Sequence, residues 1–167
     1  MLEFLGVSGM KTGYQTNAVR LAGAVLLVQA AHMAEHVAQV IQKFGLRMSD
    51  AHGLLGAIFD FEWVHFTYNT ALELALFTVA VWWRRGGLPV PRVLGFLLIL
   101  QGYHVIEHIV KMIQYYAIGT PVPKGLIGMV VPVIWLHFWL NLVVLGLIGA
   151  SWLALRTRES LVRVPAG

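Results

Sequence analysis

Four apolar segments, at about 18–44, 54–83, 93–117 and 126–155, divide this chain and leave little between them. Each exceeds the roughly 20 residues an α-helix needs to cross the ~30 Å hydrocarbon core of a bilayer. In hydrocarbon the backbone must satisfy its own hydrogen bonds, so segments of this length are helical. Arg84, Arg85, Gly86 and Gly87 close the second segment, Pro89 and Pro91 precede the third, and Gly119, Pro121, Pro123 and Gly125 break the chain before the fourth, all ordinary loop punctuation. The composition is 58% apolar and 12% charged, too greasy for a soluble domain. The predicted fold class is an all-α membrane protein, a four-transmembrane-helix bundle within one membrane domain spanning residues 1–167.

The two halves match at a constant offset of 72 residues without a gap. Gln29, His32, Glu35, His36 and Gln42 correspond to Gln101, His104, Glu107, His108 and Gln114. Gly53, Leu54 and Gly56 correspond to Gly125, Leu126 and Gly128, and Trp63, His65, Phe66 and Asn69 to Trp135, His137, Phe138 and Asn141. About 16 identities fall within residues 21–84. Leucine coincidences are cheap in apolar sequence, but coincidences of His, Glu, Asn and Gln are not. The expected architecture is therefore two tandem helical hairpins, repeat A about 18–85 and repeat B about 90–157. Two helices per repeat give the halves one orientation, related by a pseudo-two-fold axis along the membrane normal.

Lys11, Arg20, Arg84, Arg85, Arg92, Arg156, Arg158 and Arg163 fall on one side of such a bundle, against Lys43, Arg47 and Lys124 on the other. The positive-inside rule then places both termini and the middle loop in the cytoplasm. A cleaved leader ending near Ala30–Ala31 would part Gln29 from His32, two members of the repeated pattern, so the first segment is read as a retained helix. The net charge of +4 reflects basic loops. No clustered basic face supports nucleic-acid binding. The chain has no cysteine, which excludes disulfides, thiolate metal sites and iron–sulfur clusters.

Helical neighbours i, i+3 and i+4 share a face, so each His-x-x-Glu-His cluster presents its three ligand-type side chains together. At 1.5 Å per residue, His36 lies about 8 residues and His32 about 12 from the outer end of the first helix, and His65 about 11 from the outer end of the second. These imidazoles share a level, and the repeat brings His104, His108 and His137 to it. Ionisable groups in hydrocarbon are costly unless paired, hydrated or ligating. Imidazoles with carboxylates form the ligand inventory of a transition-metal site, and metal pairs in four-helix bundles use inward helical i, i+3 pairs in the same way. The expected metal ligands are His32, Glu35, His36, His65, His104, Glu107, His108 and His137, around a central binuclear site. Iron is the first choice, then copper or zinc.

Asn69, Asn141, Gln29 and Gln101 are expected to orient those ligands. Glu62, His65, Asn69 and Glu73 form a polar stripe, matched in the second half by Ile134, His137, Asn141 and Leu145. Glu62 and Glu73 are read as a proton path. Gln39 and Lys111, one turn beyond the cluster, are candidate orienting or entry residues. His52 and Asp60 lie toward the outer surface, and Trp63 and Trp135 are expected to pack the bundle. The function expected is a membrane metalloprotein, leaning to an oxidoreductase acting on a lipophilic substrate or quinol. Three alternatives stand beside it: an electron-transfer subunit binding haem b or another tetrapyrrole, a metal-ion or proton transporter, and an accessory subunit of a larger membrane complex.

Overall fold

The structure is a computed structural model that describes residues 2–55 and 62–163, with side chains from Met10 to Val162. Four α-helices carry the fold: α1 (Leu2–Val40), α2 (Glu62–Arg85), α3 (Arg92–Tyr116) and α4 (Val133–Arg163). A π-helical turn, Ile41–Gly45, continues α1, and a short 3-10 turn, Ile127–Met129, leads into α4. There is no strand among the described residues. Helix α1 packs against α2 and α4, and α3 packs against the same two.

Among the described residues, three helices are long and apolar enough to cross a membrane: α1 with its π turn over Met10–Gly45, α3, and α4 over Val133–Val162. That suggests a membrane protein. The second predicted span is less apolar than the sequence reading has it, because His65, Tyr68, Asn69, Thr70 and Glu73 all fall inside α2. None of them is fully exposed: Asn69 is buried and the other four are half-buried.

The bundle is layered along its axis. Toward the 86–91 connection it is a dry core that includes Ala18, Leu76, Val79, Trp83, Leu97 and Leu155. Between apolar helices in lipid such packing holds by close contact and small residues more than by exclusion of water. Gly23 serves that end, since a Cβ there would come to 3.1 Å from Trp152 Nε1 across α1 and α4. At this end α1 and α4 also meet through Thr16 Oγ1, which donates to Glu159 Oε1 at 2.9 Å. Gln15 Nε2 donates to the Gly86 carbonyl at 2.7 Å, tying α1 to the end of α2.

At the opposite end the connections fold back onto the helices. Gln42 makes a two-way bond with Gly53, accepting its amide at 2.7 Å and donating to its carbonyl at 2.8 Å. Gln114 does the same with Gly125, at 2.8 and 3.1 Å. Both glycines have positive φ, +84° and +79°, where a side chain is strained. A Cβ would also collide with Glu35 at Gly53 and with Glu107 at Gly125.

Candidate metal centre

Between the dry core and the folded-back connections lies a polar layer. Its floor is two amide pairs. Gln29 Nε2 of α1 donates to Asn141 Oδ1 of α4 at 3.0 Å, and Gln101 Nε2 of α3 donates to Asn69 Oδ1 of α2 at 3.0 Å. All four residues are buried. Asn69 and Asn141 each also donate to the carbonyl one turn back, of His65 and His137 respectively, at 2.9 Å. Tyr68 adds a hydroxyl that donates to Gln29 Oε1 at 2.7 Å.

Above this floor stand six imidazoles from four helices. Ring centroids run His32 to His36 at 4.6 Å, His36 to His137 at 6.1 Å, His137 to His108 at 5.3 Å, His108 to His65 at 5.9 Å and His65 back to His32 at 6.2 Å. His104 lies 5.0 Å from His108 and 6.1 Å from His137. One nitrogen each from His104, His108 and His137 lies within 4.8 Å of the others, close enough to hold one metal ion. Two imidazoles on one ion at about 2.1 Å each stand at most about 4.2 Å apart, so small side-chain rotations would close the remaining gap.

The hydrogen bonding divides the six. His36 is well provided: Nδ1 pairs with Gln39 Oε1 at 2.9 Å, and Nε2 lies 3.1 Å from both His32 Nε2 and Asn141 Nδ2. By contrast, His104 Nδ1 and Nε2, His108 Nδ1 and His137 Nε2 are buried without a hydrogen-bond partner among the described residues. A buried polar atom left so costs about 1–3 kcal/mol. Each of the three rings thus keeps at least one buried nitrogen without a hydrogen bond, as the donors of a cation site would.

The carboxylates expected among the ligands have protein partners. Glu35 Oε1 accepts the Leu55 amide at 2.8 Å. Glu107 Oε1 accepts the Ile127 amide at 3.0 Å and the Gly128 amide at 3.4 Å, while its Oε2 accepts the Tyr103 hydroxyl at 3.0 Å. Both glutamates thus reach along their helices to the connections. An ion pair stands beside the imidazoles, Lys111 Nζ to Glu62 Oε1 at 2.6 Å, with Glu62 Oε2 3.8 Å from His108 Nδ1. Both residues stand out in the sequence, but nothing there signals that they pair. Glu73 lies lower, where a Cβ on Gly102 would be 3.8 Å from its Oε1.

A cavity of about 610 Å³ reaches the imidazole layer from the folded-back end, lined among others by His36, His52, Glu62, His65, Lys111 and His137. Trp63, expected to pack the bundle, is instead 52% exposed, while Trp135 stacks on Phe44 at 5.0 Å. Asp60 lies outside the described residues. No protein-family model matches the chain, and no curated protein or solved structure does either.

Proposed function

We propose that the chain is a four-pass membrane metalloprotein of two tandem hairpins, with both termini cytoplasmic and a binuclear transition-metal centre among its imidazoles. The observation that carries this reading is the convergence of His104, His108 and His137, with nitrogens within 4.8 Å of one another and each ring keeping at least one buried nitrogen without a hydrogen bond. His32, His36 and His65 stand beside them as the ligands of a second ion. Glu35 and Glu107 drop to a structural role in this reading, since their carboxylates are engaged by connection amides. Gln39 and Asn141 orient His36.

The tandem arrangement is supported by contacts that recur at the offset of 72: Glu35 on Leu55 and Glu107 on Ile127, Gln42 on Gly53 and Gln114 on Gly125. The amide pairs support a two-fold relation, because each glutamine bonds an asparagine of the other half. Such an axis would run along the bundle and through the imidazole layer.

An imidazole-rich donor set suits iron, copper or zinc, with iron the first choice for redox work. A redox centre at this depth would act on a lipophilic molecule such as a quinol, and the activity proposed is that of an oxidoreductase. The test is elemental analysis of protein purified without chelators, with a visible spectrum beside it. Two iron, copper or zinc ions per chain are expected, and no Soret band. Absence of any transition metal sinks the proposal, and a Soret band transfers the imidazoles to a tetrapyrrole.

A further inference from the structure

The two halves differ where the imidazoles approach the outside of the bundle. A second cavity, of about 280 Å³, lies in the groove between α1 and α2. Val28, Ala31, Leu55 and Val64 give it apolar walls, and His32 and His65 stand at its inner end. Val28 and Leu55 are 54% and 59% exposed, so the mouth lies on the flank of the bundle, on a helix long and apolar enough to sit in a bilayer. His32 is half-buried there, whereas His104, at the matching place in α3, is 0% exposed.

Several lining positions differ between the halves, Val64 against Leu136 and Tyr68 against Leu140 among them, and the largest gain in bulk comes from one side chain. The position 72 residues after Ala31 is Tyr103. Its hydroxyl reaches Glu107 Oε2, one turn along α3, at 3.0 Å. A ring lying the same way on α1 would run from Ala31 to Glu35, and both of those residues line the cavity. The second half therefore carries its own plug, and the first half is open.

We infer that the α1–α2 groove is the docking site for the head group of a lipid-soluble hydroxyarene, a quinol-class molecule, entering sideways from the membrane. The pocket is small for a ligand site, at the low end of the usual few hundred Å³, which suits one substituted ring with its tail left in lipid. Its apolar walls favour an uncharged molecule. The group at its inner end calls for a hydroxyl donor: the Tyr68 hydroxyl has already given its proton to Gln29, which leaves its oxygen to accept. Bound there, the ring hydroxyl meets His32, whose Nε2 is 3.1 Å from His36 Nε2. Any chemistry after docking rests on the metal reading, but binding itself is measurable without it.

The test uses the full-length protein in lipid nanodiscs and decylubiquinol as the probe, with binding followed by intrinsic tryptophan quenching. Metal content is measured on the same samples. Wild-type protein should bind saturably, and Ala31→Tyr, which copies the other half, should weaken binding at least tenfold with metal content unchanged. Ala31→Val, a smaller intrusion, guards against misfolding and should give an intermediate loss. Unchanged affinity in both variants, or no saturable binding by wild type, overturns the inference. A metal-free wild type that binds the probe and loses it on Ala31→Tyr upholds the site while removing the metal reading.

Discussion

Gln29 on α1 donates to Asn141 on α4 at 3.0 Å, and both side chains are buried. Seventy-two residues on, Gln101 repeats the bond with Asn69. Interhelical bonds of this kind between membrane helices are worth about 0.6 to 2 kcal/mol. Gln29→Leu and Asn141→Leu should each lower stability by about 1–2 kcal/mol, and the double variant should lose less than the sum because neither orphaned amide remains. Reversible unfolding in mixed detergent measures both quantities. Strict additivity would mean the bond contributes nothing.

His104→Ala, His108→Ala and His137→Ala should each strip metal from the protein, since each removes a donor from one compact set. His52→Ala is the control: this histidine is exposed and lies outside the group of His104, His108 and His137. Elemental analysis of the four variants decides. Full metal content in the first three would refute the ligand assignment.

Glu35→Gln and Glu107→Gln separate two roles for the same residues. If their carboxylates hold the connections, the variants keep their metal and lose about 1.5–3 kcal/mol, the usual worth of hydrogen bonds to a charged group. The loss should be larger at Glu107, which accepts from Tyr103 as well as from backbone. Metal loss on Glu35→Gln would restore it as a ligand.

The Lys111–Glu62 pair joins the two halves and has no charged counterpart at the offset of 72, where Gln39 and Ile134 stand. Removing one member leaves a buried charge without its partner, which is more costly than removing both. Glu62→Ile should therefore destabilise by a few kcal/mol, and adding Lys111→Gln, which recreates the combination found at Gln39 and Ile134, should recover most of the loss. Thermal unfolding of the single and double variants reads this directly.

Topology is tested with reporter tags. Tags at the N-terminus, in the 86–91 connection and at the C-terminus should report one side, and tags in the 46–52 and 118–124 connections the other. Opposite sides for the two termini would make the number of crossings odd and exclude the tandem-hairpin arrangement.

The imidazole layer is legible in sequence because it depends on helical spacing and depth alone. Spacing puts His32, His36 and His65 at one level, and their rings lie within 6.2 Å of a neighbour. The glutamates show where spacing stops informing. Glu35 and Glu107 share the face of their histidines by the i, i+3 rule, but a long side chain can reach along the helix as well as inward. Which way it goes depends on whether a connection folds back to offer amides, and that depends on Gly53 and Gly125 adopting positive φ. The Gln–Asn pairs are hidden for a related reason. Each residue is visible as an amide near the cluster, but partner choice depends on which helices adjoin. The low apolarity of α2 stems from the site itself, because a helix that lends His65 and Asn69 to a polar layer has fewer positions left for leucine.

The bundle is lopsided along its length. Helix α1 has 39 residues and α4 has 31, against the roughly 20 that a bilayer crossing uses. The surplus falls at the dry-core end, where Thr16 on α1 meets Glu159 on α4 and Arg158 reaches the Pro89 carbonyl at 3.2 Å. At the far end the described stretches of both connections double back onto their helices, Gly53 on Gln42 and Gly125 on Gln114. A water-soluble neighbour therefore finds a protruding two-helix stem at one end of the bundle. Thr16 stands 16 residues before His32 on α1, about 24 Å at 1.5 Å per residue, so any such neighbour gripping the stem would stand far from the chemistry.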